Sequence, residues 1–166
     1  MSRGFVKESD QETLPIIPAR PPLPVGATNY VTPAGLEALQ AERRTLEADK
    51  ANLPGDNEDE RRRAATVIDG KLNLLNQRIT SARVLVPEDQ PQDEIRFGAR
   101  VKLRQQPGNR TQEFQIVGVD EANVKEKKIS FTAPIAEAIT GLRVGERADF
   151  RLGNELRKLE ILAITY

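Results

Sequence analysis

Two runs of apolar residues at helical spacing most constrain what this chain can fold into. In the second run the steps between apolar residues alternate between three and four positions, through Ala65, Ile68, Leu72, Leu75, Ile79 and Ala82. This alternation is the heptad pattern of helices that pack side by side. Gly70 costs such a helix about 1 kcal/mol relative to alanine, but it lies off the apolar seam.

The first run predicts a second helix that packs against this one. Its apolar residues are Leu36, Leu39, Leu46 and Leu53, interrupted by Arg43 and Lys50. Thr32 followed by Pro33 is a typical helix start, and Pro54-Gly55 is a typical helix end. We therefore expect an antiparallel coiled-coil hairpin over residues 32–85, with helices about 30 and 40 Å long.

The flanking segments differ in composition from this hairpin. Residues 1–31 contain IPARPPLPVG, which predicts an extended proline-rich tail whose apolar residues could dock on another surface. Residues 86–94, VPEDQPQDE, predict a linker. No long apolar run predicts a membrane span, and the first residues do not resemble a secretory signal, so we expect a cytoplasmic protein.

Residues 95–166 predict a small α+β domain. RVKLR, EFQIVGV, KISF, RADFRL and RKLEILAITY have the alternation or apolar content of strands, and PIAEAITGL that of a short helix. Several strands with one helix indicate an antiparallel or mixed sheet that is covered on one face. The predicted fold class is therefore α+β, with a helical hairpin followed by a small sheet domain.

Composition excludes several kinds of chemistry. The chain has no cysteine and no histidine, which excludes disulfides, thiolate nucleophiles, Ser–His–Asp triads and Cys- or His-based zinc sites. Lys+Arg and Asp+Glu both number 25, so no net positive charge attracts nucleic acid. The remaining carboxylates suit a hard cation such as Mg²⁺ or Mn²⁺.

The stretch GDNEDERRR, residues 55–63, permits two interpretations. As a helix start, Asp56 would cap the helix, the acids would favour the helix dipole, and Glu58–Arg62 and Asp59–Arg63 would form ion pairs. As a functional tip, the same carboxylates would lie at the far end of the hairpin, where burial makes no demand on them. The residues alone leave both interpretations open.

The order of several segments resembles the GreA/GreB family of bacterial transcription elongation factors. These segments are YVTPAGLEALQAE, FGARV, IVGVDEA and ISFTAPIAEAITGLRVGE, and the resemblance covers residues 30–166. It implies a coiled coil beside a C-terminal domain similar to FK506-binding proteins. It also implies docking on the rim of the RNA polymerase secondary channel and contact with nucleic acid only through the elongation complex, with no membrane partner. The polar residues in the seam of the first helix argue against a large coiled-coil assembly, so we expect a monomer.

The resemblance also assigns roles to particular residues. Two acids at the coil tip would help to hold an Mg²⁺ ion shared with polymerase, which then cleaves a backtracked transcript; the factor has no cofactor of its own and is not an enzyme. The matching positions are Asp56, Asp59 and Glu60, where cleavage-competent members resemble D-x-x-E-N, and the coil is shorter than in those members. The docking segment corresponds to Pro134, Ile135 and Ala136, with Thr132 and Ala133 departing from the family pattern.

Three further hypotheses remain at this stage. The chain could occupy the channel without stimulating cleavage. It could be a prolyl isomerase, although core positions explain its C-terminal aromatics equally well: Phe97, Phe114, Phe131, Phe150 and Tyr166. It could also be a scaffold whose hairpin pairs with another protein.

Overall fold

A computed structural model describes residues 14–166 of the chain, which form a mixed α+β structure. The helices are α1 (Pro33–Ala51), α2 (Glu58–Ser81) and α3 (Pro134–Ile139). The strands are β1 (Tyr30–Val31), β2 (Arg83–Val84), β3 (Arg100–Gln106), β4 (Arg110–Val117), β5 (Lys128–Ser130), β6 (Arg147–Leu152) and β7 (Glu155–Thr165). Within this part of the chain, no helix is long and apolar enough to cross a membrane.

Helix α1 begins as the sequence predicts and ends slightly earlier. Thr32 is the N-cap, and its hydroxyl accepts a 2.9 Å hydrogen bond from the Gly35 amide. Pro33 occupies the first turn, where its missing N–H costs nothing. The C-cap is Asn52, so the helix stops before Pro54-Gly55.

Helices α1 and α2 pack against each other and run in opposite directions, so the end of α1 contacts an earlier part of α2 than the start of α1 does. Leu39 and Leu75 share a buried cluster with Val31 at one end, and Lys50 pairs with Asp69 at 2.6 Å towards the other. Leu36, Leu46, Ile79 and Ala82 surround this cluster. Leu75 is the one buried residue of α2, so the apolar core of the pair is confined to the end near β1 and β2.

A two-stranded parallel sheet closes that end of the helix pair. Strand β1 precedes α1 and pairs with β2, which follows α2. The amides of Arg83 and Leu85 donate to the carbonyl oxygens of Asn29 and Val31, each at 2.9 Å. The sequence assigned Tyr30 and Val31 to the tail, so this pairing extends the ordered base of the hairpin beyond the predicted boundary.

The C-terminal part forms a mixed five-stranded sheet in the order β5-β4-β3-β7-β6. Neighbouring strands are antiparallel except β4 and β5, which are parallel. The largest fully buried side chains of this sheet are those of Leu103, Ile116, Leu159 and Ile161. Ala136 and Ile139 of α3 complete the same core, so the helix covers one face of the sheet as predicted.

The Tyr166 hydroxyl joins the end of β7 to the segment that enters the sheet. It donates to the Glu94 carbonyl at 2.6 Å and accepts from the Arg96 amide at 2.8 Å. Burial raises the pKa of Tyr166 above its usual value of 10.0. The folded state therefore favours the protonated hydroxyl, which stabilises the fold below pH 10 and ceases to do so as pH rises through the folded pKa.

We expect Tyr166→Phe to lower the free energy of unfolding by about 0.5–1.5 kcal/mol at pH 8. The difference from the unsubstituted chain should shrink above pH 10, because the unsubstituted chain loses this contribution there. Urea denaturation at pH 8 and at pH 10.5 measures both values. Tyr30→Phe controls for the loss of a tyrosine, since the described residues give the Tyr30 hydroxyl no hydrogen bond. An equal difference at both pH values would contradict this prediction.

Candidate functional site

The turn between α1 and α2 is built around Gly55 and Asn57. Gly55 has φ +142°, a conformation that side-chain-bearing residues rarely adopt. Asn57 is the N-cap of α2, and its side chain accepts from the Glu60 amide at 2.8 Å. The Glu60 carboxylate in turn accepts from the Asp56 amide at 3.1 Å, a variant of the capping box. The prediction that Asp56 is the cap is therefore wrong: the cap is Asn57.

The tip acids differ in how far local contacts engage them. Asp59 pairs with Arg62, three residues later, in place of the predicted Asp59–Arg63 and Glu58–Arg62 pairs. Glu60 is engaged in the cap. Asp56 is exposed, and its carboxylate has no ion pair within residues 14–166. Glu58 is also exposed and unpaired among the described residues, and Asp56 is the one acid among the three predicted tip positions whose carboxylate is free of local contacts.

The donor set of the tip suits a shared cation better than a closed site. Between residues 14 and 166, no group of three or more acidic side chains is placed to hold a metal ion. Asp56 and Asp59 are exposed and supply oxygen donors, which hard divalent cations prefer. Two carboxylates leave most of the usual six ligand positions of Mg²⁺ to other molecules.

The predicted docking segment lies at the start of α3, and its three residues differ in exposure. Pro134 is exposed in the first turn, and Ile135 is half-buried against the sheet core. Ala136 is 0% exposed and belongs to the core. The prediction of Ala136 as a surface contact is therefore corrected: its small side chain lets α3 lie close to the sheet, and only Pro134 and part of Ile135 face outward.

The loop after β4 contacts the base of the helix pair. The Thr32 hydroxyl donates to the Glu121 carboxylate at 2.7 Å while it caps α1. Asp120, whose side chain is 6% exposed, pairs with Arg20 at 3.0 Å and with Arg78 at 3.5 Å. These contacts, which we call the joint, connect the helix pair to the five-stranded sheet.

Aromatic rings extend the joint on its apolar side. The rings of Tyr30, Phe97 and Phe131 pack in tilted and edge-to-face arrangements with centroids 5.6–5.9 Å apart. Phe114 is buried in the sheet core, and Phe150 and Tyr166 pack against that core. The C-terminal aromatics therefore serve packing, and this placement does not favour the prolyl-isomerase hypothesis.

Sequence reasoning did not identify the residues of the joint. Arg20 and Asp120 are 100 positions apart, and Thr32 and Glu121 are 89 apart. The available signals were two acids in the loop after strand β4 and the arginine within the IPARPPLPVG segment. Neither signal indicates a partner without knowledge of how the two parts of the chain meet.

Comparison with known proteins identifies relatives over most of the chain. Residues 90–166 match the family model described as "Transcription elongation factor, GreA/GreB, C-term". GreA of Acidiphilium cryptum is 30% identical over 151 residues, which cover 82% of this chain and 96% of that protein. GreA of Thermodesulfovibrio yellowstonii is 32% identical over 105 residues, which cover 63% of this chain and 66% of that protein.

The solved structure of GreA/GreB from Nitrosomonas europaea aligns with 82% of this chain and 98% of its own, at 20% identity and a TM-score of 0.41. The family assignment rests on the sequence relatives, and above all on the near-complete coverage of the Acidiphilium cryptum protein. The chain belongs to the GreA/GreB family of transcription elongation factors.

Proposed function

We propose that this chain binds RNA polymerase at the secondary channel and stimulates cleavage of backtracked transcripts through its acidic tip. It acts as an accessory factor, and the polymerase performs the reaction. In this proposal residues 32–85 form the coiled coil that enters the channel, and residues 86–94 are the linker. Residues 95–166 are the domain similar to FK506-binding proteins, which docks on the channel rim with Pro134 and Ile135 at its contact.

The observation that carries the proposal is the position of Asp56. Its exposed carboxylate lies in the turn between two helices of 19 and 24 residues, at the end away from the buried cluster. At 1.5 Å per residue these helices are about 28 and 36 Å long. The turn is capped by Asn57 and Glu60, so Asp56 has no structural task among the described contacts of its side chain.

The chemistry assigned to the tip is that of a shared metal site. Asp56 and Asp59 would hold an Mg²⁺ ion together with polymerase ligands, and the bound ion would activate water for phosphodiester hydrolysis. Arg62 lies against Asp59 and competes with a cation for that carboxylate. Asp56 therefore provides the main ligand, and Asp59 the second once its contact with Arg62 opens.

One observation favours a second candidate, a channel occupant that does not stimulate cleavage. Asp59 is paired with Arg62, and Glu60 caps α2, so two of the four tip acids already have intramolecular partners. A tip in which Asp59 stays paired with Arg62 would fill the channel without completing a metal site.

Transcript cleavage in a backtracked elongation complex separates the two candidates. We expect Mg²⁺-dependent release of short 3′ fragments, and we expect Asp56→Asn to slow it by about tenfold or more at saturating factor. Removing a group that only contacts a metal ligand, without binding the metal itself, already lowers metal affinity or activity by about tenfold. Binding to polymerase should be unchanged, because the substitution leaves the docking domain intact.

Asp49→Asn is the matched control, since Asp49 is an exposed acid of α1 whose carboxylate has no ion pair in the described chain. The Asp49→Asn variant should stimulate cleavage at the same rate as the unsubstituted protein. Polymerase binding without cleavage would support the channel occupant, and absence of binding would overturn both candidates. Equal loss in the two variants would indicate a general effect of charge on the hairpin instead of a role for Asp56.

A further inference from the structure

The N-terminal arm, residues 14–29, lies against the helix pair. Ile17 of the arm faces Gly70 of α2, where an added Cβ would come within 2.0 Å of the Ile17 Cδ1 atom. Gly70, which weakens the helix by its own propensity, therefore provides the space that the arm occupies. The arm is held by side-chain packing at this point, although Ile17 remains 37% exposed.

Arg20 connects the arm to both parts of the fold. Its guanidinium donates to both carboxylate oxygens of Glu42 on α1, at 2.8 and 3.1 Å. It also donates to Asp120 of the joint at 3.0 Å. The planar fork of arginine can serve two carboxylates at once, which a lysine ammonium cannot do with the same geometry.

Arg78 of α2 forms the other side of this arrangement. It contacts Asp120 and donates to the carbonyl oxygen of Pro21, the residue that follows Arg20. Asn29, at the end of the arm, donates to the Arg78 carbonyl at 2.9 Å and to the Ser81 hydroxyl at 3.2 Å. The arm is thus fixed at both ends of the segment that carries Arg20.

The charges of this cluster depend on one another. Asp120 is nearly buried, so its charge requires the two arginines that contact it. The hydrogen bonds to Glu42 raise the pKa of Arg20 above its usual value, which favours the charged guanidinium that contacts both carboxylates. The side chain of Arg20 is itself only 16% exposed, which limits the screening of these contacts by water and salt.

We propose that Arg20 is a positioning residue, which fixes the direction of the α1–α2 pair relative to the five-stranded sheet by joining Glu42 to Asp120. Interfaces between parts of one chain permit relative motion unless they are large and hydrophobic. The arm supplies a brace across the joint. This inference concerns the free protein and does not depend on the proposed polymerase function.

A distance measurement between two spin labels tests the proposal. The chain contains no cysteine, so Glu47→Cys on α1 and Asp149→Cys on β6 give a uniquely labelled protein. Both positions are exposed, and neither side chain forms an ion pair within the described residues. Pulsed electron resonance of the full chain should give a narrow distance distribution. Arg20→Ala should broaden that distribution and remove the narrow peak.

Three companion variants make the result specific. Arg44→Ala removes an arginine of α1 whose pair with Glu37 is more than 60% exposed on both sides, and it should leave the distribution narrow. Arg20→Lys should restore part of the narrow peak, because it keeps the charge but not the fork. Glu42→Gln weakens the same bridge from an exposed position and should broaden the distribution even if Arg20→Ala fails to fold.

Circular dichroism at the measuring temperature shows whether each variant retains its helices. Narrow distributions in both Glu42→Gln and a folded Arg20→Ala would overturn the proposal. The same conclusion would follow if Arg44→Ala broadened the distribution as much as Arg20→Ala. A brace that acts only on overall stability would shift the melting temperature and leave the distances of the folded protein unchanged.

Discussion

Leu75→Ala is expected to lower the free energy of unfolding of the helix pair by about 2–5 kcal/mol. Leu75 is 0% exposed and belongs to a cluster of three buried residues, with Val31 and Leu39. A core this small cannot redistribute the loss over many neighbours, so a cavity is left where the side chain was. Urea denaturation followed by circular dichroism at 222 nm reports this change, because α1 and α2 contain most of the helical residues.

Leu72→Ala is the matched control for this prediction. Leu72 is part of the same predicted heptad seam and loses the same atoms, but it is half-buried and lies outside the buried cluster. Its replacement should cost clearly less, because the leucine covers less surface that the fold removes from water. Equal costs at the two positions would mean that the seam is packed evenly along its length, in contradiction to the observed confinement of the core.

The comparison of these two leucines also shows how far sequence patterns describe the hairpin. The heptad spacing predicted two neighbouring helices, and both are present with ends close to the predicted positions. The same spacing treated Ala65, Ile68, Leu72 and Leu75 as equivalent, yet only Leu75 is buried. A periodic pattern identifies the apolar face of a helix, whereas burial depends on where the partner and the base of the hairpin close over that face.

The strands of the C-terminal sheet were also predicted from local patterns. β3, β4, β6 and β7 coincide with apolar and polar alternation that is readable within each segment. The two-residue strands β1 and β2 were not predicted, because a pair of residues has no period. Their pairing depends on α1 and α2, which bring Tyr30 and Arg83 together.

Some parts of the candidate site are visible in the local sequence, and others depend on contacts between distant parts of the chain. The acidic tip is a local feature, so the cluster is visible in the sequence, and the family resemblance selected Asp56 and Asp59 within it. The choice of Asn57 as cap depended on the backbone of the turn, which Gly55 sets. The joint and the arm depend on contacts between residues 22 to 100 positions apart, and no local pattern contains that information.

Gly118→Ala is expected to lower the free energy of unfolding by about 1–3 kcal/mol, the usual cost of adding volume where packing is already tight. A Cβ at Gly118 would lie 2.5 Å from the Tyr30 carbonyl oxygen, which is a backbone atom and cannot rotate away. The Gly118 carbonyl accepts hydrogen bonds from the Glu121 and Ala122 amides. A shift of Gly118 would therefore displace the loop through which Asp120 and Glu121 contribute to the joint.

Gly70→Ala adds the same methyl group where the obstacle is different. The nearest atoms are Cδ1, Cγ1 and Cγ2 of Ile17, at 2.0, 2.7 and 3.2 Å. They belong to one partly exposed side chain of the arm, which can move away as a whole, and alanine improves the helix by up to about 1 kcal/mol. We expect a small net change for Gly70→Ala in urea denaturation and a clear loss for Gly118→Ala. A loss at Gly70 as large as that at Gly118 would mean that the arm is held more rigidly than its 37% exposed isoleucine indicates. The two glycines therefore separate two kinds of close contact. At Gly118 the neighbour is a backbone atom that no change of rotamer can move, whereas at Gly70 the neighbour is a side chain that can move.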